Sequence, residues 1–144
     1  MTLENLLGLS LETIEPDAFS IRRLLEAAGR SLSDARLPGI SSEGRFDMAY
    51  KAIMQCANAA LQANGYRTLT SKPGHHQTMI QSLPLTIGLD GRAMMLLDSL
   101  RKQRNVIDYS GDMVSERMAA EALQQAEQLM QRVVGWLEQS GKTF

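Results

Sequence analysis

The side chains of this 144-residue chain best able to act on a phosphate or a proton fall in two places, Arg104-Asn105 with Asp108-Tyr109, and the adjacent pair His75-His76. Stepping Leu97, Leu100, Arg104 and Ile107/Asp108 keeps to one face of a helix, so the stripe that should enter the core delivers a guanidinium and, one turn on, a carboxylate. Arg101 and Lys102 fall beside or behind that stripe and are expected in solvent, which singles out Arg104. A guanidinium is a rigid fork of donors suited to phosphate, and Asn105 and Tyr109 can add neutral hydrogen bonds to the same ligand. The plainer reading is an internal i,i+4 pair of Arg104 with Asp108, capped by the Tyr109 hydroxyl and worth a few tenths of a kcal/mol if exposed.

His75 and His76 are the only histidines and stand where a helical pattern opens. Neighbouring residues on a helix point about 100° apart, so the two cannot chelate one metal as an i,i+4 pair would. With Cys56 the single cysteine, no zinc spacing exists, and neither a metal nor a cofactor is expected. One imidazole can serve as a general base if the fold carries it to Arg104. Its plainer role is to cap the helix or pack on an aromatic ring. A Gly-rich phosphate loop and a Gly-x-Ser-x-Gly elbow are both absent.

The elements that must position these residues read as helices. The apolar fraction of 44% comes mostly from Leu, Met and Ala, a palette that favours helix over strand. Residues 1–16 form a short segment, interrupted at Gly8 and closed by Pro16, expected to lay one or two helical turns on the bundle. From Asp17, Ile21, Leu25, Ala28, Leu32 and Ala35 recur at helical spacing up to Pro38-Gly39. Ser41 offers an N-cap to a second helix, Ala-rich and central, that ends at Asn64-Gly65. A loop from Tyr66 through Lys72-Pro73-Gly74 leads to the histidines and a helix that Pro84 ends or kinks. The helix carrying Arg104 begins near Asp90 and stops at Ser110-Gly111, and the last runs from Ser115 to about Gln139. The expected fold is all-α, an antiparallel four- to five-helix bundle over residues 17–140. Cys56 is expected to act as a small buried hydrophobe, and the methionines, including Met48, Met54, Met79, Met94, Met95 and Met118, as core filler.

Taken together, Arg104-Asn105 followed by Asp108-Tyr109, Ala49-Tyr50-Lys51-Ala52 leading to Gly65, and the histidines after a Lys-Pro-Gly loop resemble the HEPN superfamily. The likeness covers about residues 43–137 and is to its small prokaryotic members. It implies a HEPN-like helical bundle, a homodimer, and a place beside a minimal nucleotidyltransferase in toxin–antitoxin or defence pairs. The catalytic branch of that family is a metal-independent ribonuclease in which an Arg and a His act on the RNA phosphate. By that resemblance the catalytic residues, if the chain cleaves RNA, would be Arg104 with His75 or His76. Asp108 stands where the motif His is expected, and a carboxylate ionised at neutral pH repels phosphate and donates protons poorly.

The favoured expectation is therefore a regulatory, non-catalytic protein that binds a partner protein or a nucleotide through Arg104, Asn105, Asp108, Tyr109, His75 and His76. An RNA-cleaving toxin and a purely structural interaction module are the alternatives. A net charge of −1 gives no global attraction to nucleic acid or anionic lipid, so any such contact has to be local. No apolar run exceeds five residues, as in Ala93–Leu97, and no basic stretch precedes an apolar one near the start. The expected setting is cytoplasmic, with no membrane contact.

Overall fold

The computed structural model describes residues 2–71 and 73–141. In order, these form a 3-10 turn at Glu4–Leu6, β1 (Leu11–Thr13), α1 (Ala18–Ala35), α2 (Ser42–Ala63), β2 (Tyr66–Thr68), α3 (His75–Gln81), α4 (Leu83–Thr86), α5 (Gly91–Ser110) and α6 (Glu116–Gln139). The fold is an all-α bundle apart from one small ribbon.

The helices start where short polar side chains satisfy their first backbone donors. Asp17 accepts from the Phe19 amide, Ser41 from Gly44, Asp90 from Ala93 and Ser115 from Met118. At the other end of α1, Arg45 reaches back from α2, donating through Nε to the Ala35 carbonyl at 2.8 Å and through Nη2 to Leu37 at 3.1 Å. A guanidinium at a helix C-terminus also meets the negative end of the dipole. α5 ends at Gly111, whose φ of 72° suits a residue without a β-carbon and lets its amide close on the Ile107 carbonyl.

α2 is the centre of the bundle, packed between α1 and α6 with α3, α4 and α5 against its remaining side. Its alanines 49, 52, 57, 59 and 60 are wholly inaccessible, so neighbouring backbones come close, while Phe46, Ile53 and Leu61 fill the volume between them. Cys56 is equally buried, and burial pushes its thiol up to about 12. The methionines divide. Met54 is in the core, Met48 and Met79 line a cleft described below, and Met95 is 67% exposed.

β1 and β2 pair antiparallel, with Leu11 opposite Thr68 and Thr13 opposite Tyr66, and a Glu12–Arg67 ion pair on the outer face. Leu11 is fully buried. The 3-10 turn at Glu4–Leu6 fits the reading of residues 1–16 as one or two helical turns, while β1 departs from it and β2 departs from the reading of Tyr66 onward as loop. A three-residue strand has too few side chains to show alternation, and its partner lies on the far side of two helices in the chain. The ribbon anchors the segment that leads into α3. Lys72 of the Lys-Pro-Gly loop lies outside the described residues, as does Met1.

No helix among the described residues is long and apolar enough to cross a membrane.

Candidate functional site

Arg104 leaves α5 toward α2, where Nη1 donates to Asp47 Oδ1 at 3.2 Å and Nε faces Asp108 Oδ2 at 3.7 Å. The guanidinium carbon stands 5.1 Å from the centroid of the Tyr50 ring, a cation–π distance. The cross-helix contact to Asp47 is the shorter of the two, so the i,i+4 partner expected from sequence is the secondary one. Nη2 has no partner among the described residues.

The Tyr50 ring, buried at 4% exposure, is the hub of the site. Its hydroxyl lies 3.2 Å from His76 Nδ1, and His75 packs edge-on against His76 with centroids 4.7 Å apart. Burial raises Tyr50 above the ordinary phenol range, against the pull of Arg104 and Arg101, so the hydroxyl keeps its proton. His76 is lowered by desolvation, then by His75, Arg104 and Arg101, and is neutral at pH 7. In the tautomer protonated at Nε2, the Tyr50 O–H donates to Nδ1 and the Nε2 proton points away from the tyrosine.

These groups line one cleft of about 590 Å³. Leu24, Met48, Met54 and Met79 give it apolar walls, Asp47, Lys51, His75, His76 and Arg104 its charged and titratable groups, and Gln55 and Asn58 a polar stretch further along α2. α1 contributes Leu24, α3 the histidines and α5 the arginine, so the cleft exists only once all of these helices pack on α2. Among the described residues no group of three or more His, Cys, Asp or Glu is arranged to hold a metal.

The residues named from sequence separate here. Arg104, His75 and His76 come together in the cleft. Asn105, Asp108 and Tyr109 do not line it. Asp108 only touches Arg104 from outside, and Tyr109 is 94% exposed, too far into solvent to cap the Arg104–Asp108 pair. After Leu100 no residue of α5 is fully buried, although Ile107 still packs against the core.

Arg101 corrects a further expectation. It is not solvated but sits at 13% side-chain exposure, its Nε donating to Asp98 Oδ1 at 2.7 Å, with Asp98 at 10%. Burial alone would raise the Asp98 carboxyl. The Arg101 hydrogen bond and charge, a hydrogen bond from Gln81 of α3 and the Lys102 charge outweigh it and hold the group below its ordinary value. Through Gln81 the Asp98 carboxylate ties α5 to α3, and so sets the arginine-bearing helix against the histidine-bearing one.

Lys51 enters the sequence reading only within Ala49-Tyr50-Lys51-Ala52, and Asp47, Gln55 and Asn58 not at all. Steps of four, four and three nonetheless place the four on one face of a helix that is mostly apolar from Phe46 onward.

Neither a curated protein nor a solved structure matches the chain. A family model described as the HEPN domain matches residues 21–138, a span that begins inside α1 and so includes the helix lying outside the motif resemblance. The chain therefore belongs to the HEPN domain family.

Proposed function

We propose that the protein is a regulatory HEPN member that binds a nucleotide in the cleft of Arg104, Tyr50 and the histidines, without cleaving it, and offers the exposed residues at the end of α5 to a partner protein. The observation that carries the first part is Arg104 laid over Tyr50 in a cleft with apolar walls. A base can pack against Leu24 and the methionines while a phosphate accepts from the unpaired Nη2, with Lys51 and the histidines nearby. The second part rests on Val106 at 58%, Tyr109 at 94% and Met113 at 93% exposure, an apolar surface beside Asn105 and Asp108. A second copy or a nucleotidyltransferase is the partner we propose for it.

Cleavage is disfavoured by the carboxylates around the arginine. Asp47 and Asp108 both face it and compete with a scissile phosphate for its donors. One observation favours ribonuclease activity as a second reading, namely that His76, held below the ordinary imidazole range by burial, lines the same cleft as Arg104.

The test is calorimetric titration of nucleoside monophosphates into the wild type and Arg104→Met, beside incubation of single-stranded RNA with the wild type, His75→Ala and His76→Ala. Binding that disappears with Arg104, with RNA left intact, supports the proposal. RNA fragments that depend on Arg104 and one histidine would establish the second reading instead.

A further inference from the structure

We infer that the far end of this cleft recognises the base of its ligand through Gln55 and Asn58, and selects an oxo-bearing edge, that of guanine or uracil, over the amino-bearing edge of adenine or cytosine. The inference rests on the reading of the cleft as a nucleotide site.

Lys51, Gln55 and Asn58 follow one face of α2, and seven residues at 1.5 Å rise place the last about 10 Å along the axis from the first. The charged groups and the amides are therefore held at opposite ends of a rigid wall. The hydrogen bonds already made at the amide end decide what remains to offer a ligand. Gln55 Oε1 accepts from the Ser31 hydroxyl of α1 at 3.0 Å, and Ser31 is itself 5% exposed. Asn58 Oδ1 accepts from Gln62 Nε2 at 3.2 Å. Each oxygen is engaged, while neither amide nitrogen has a partner among the described residues.

A half-buried donor beside Leu24 and Met54 gains from an acceptor that replaces the water it loses. The familiar amide reading of adenine uses oxygen and nitrogen together, one accepting from the exocyclic amine and the other donating to the ring. With both oxygens occupied, that pairing is weakened. Guanine O6 and N7, or the carbonyl oxygens of uracil, ask only for donors. Among the described residues both amide nitrogens keep all their protons to donate, whereas each oxygen keeps only one of its two lone pairs.

The experiment is calorimetric titration of GMP, UMP, AMP and CMP into the wild type, Gln55→Met and Asn58→Asp. The wild type should bind GMP and UMP about tenfold more tightly than AMP and CMP, the effect of one to two net hydrogen bonds. Gln55→Met removes a donor at similar volume and should narrow that ratio. Asn58→Asp replaces a donor with an acceptor of the same shape, and should bring the ratio to unity or below whatever its uniform charge penalty on all four ligands. Should that variant fail to fold, Gln55→Met carries the same comparison. Equal binding of all four nucleotides, lost with Arg104→Met, would overturn base selection and leave the phosphate site standing. Binding of none would overturn both.

Discussion

Arg101 and Arg104 lie three residues apart on one helix, and replacing each with methionine should separate stability from binding. Arg101 and Asp98 are 13% and 10% exposed at 2.7 Å, and Gln81 also bonds to the carboxylate. Arg101→Met leaves Asp98 with a buried charge and no cation beyond Lys102, which approaches only to 3.8 Å. Stranding one member of a buried pair costs about 3 kcal/mol. For a domain of this size that corresponds to a fall of roughly 10 °C in melting temperature. Arg104 is 33% exposed and its carboxylates 41% and 62%, so losing it should cost below about 1 kcal/mol. Its loss should instead abolish nucleotide binding. The assay is thermal unfolding by circular dichroism beside calorimetric titration. Adding Asp98→Asn to Arg101→Met should recover part of the lost stability, because the uncompensated charge goes with it. Equal melting temperatures for the two single variants would refute the division of roles.

His76 is held below the ordinary imidazole range, so the unfolded chain takes up that proton first. Stability should therefore decline as pH falls from about 6.5 toward the folded value, and His76→Asn should flatten the slope in denaturant melts taken across that window. Asp47→Asn removes a carboxylate 3.2 Å from the guanidinium and should tighten GMP binding by about threefold, the size of one screened charge at such range. A weaker complex in the titration would mean that Asp47 orients Arg104 more than it competes with phosphate. Leu11→Ala empties a fully buried position and should cost about 2–4 kcal/mol in urea unfolding, whereas a loss under 1 kcal/mol would show that the ribbon is not part of the core.

Helix ends were legible in the sequence almost to the residue, since Asp17, Ser41, Asp90 and Ser115 announce themselves as caps and Gly111 as a stop. Burial along α5 was not. A single apolar stripe assumes one covered face, but α3 covers a second side of this helix and encloses Asp98 and Arg101, while toward its end Ile107 still packs on the core and Val106 and Tyr109 lie in solvent. The same assumption set Asn105 and Tyr109 beside Arg104, whereas the structure leaves them outside the cleft. The two histidines and Arg104 were found because their chemistry is rare in the chain. Asp47, Gln55 and Asn58 carry no rare chemistry, and their polar line runs beside the far stronger alanine pattern of α2. The strands escaped notice for lack of length, their pairing being a tertiary fact.

α2 has one face fitted to its neighbours by alanines and another that walls the cleft, so the bundle's interior and its ligand dimension share a single ruler. An extra residue between Lys51 and Asn58 would rotate everything beyond it by about 100°, sending small core side chains outward and the amides inward. Ligand length is therefore locked to helical pitch. Adaptation to a longer or shorter guest must come from the loop between β2 and α3, where chain can be added without turning any packed surface.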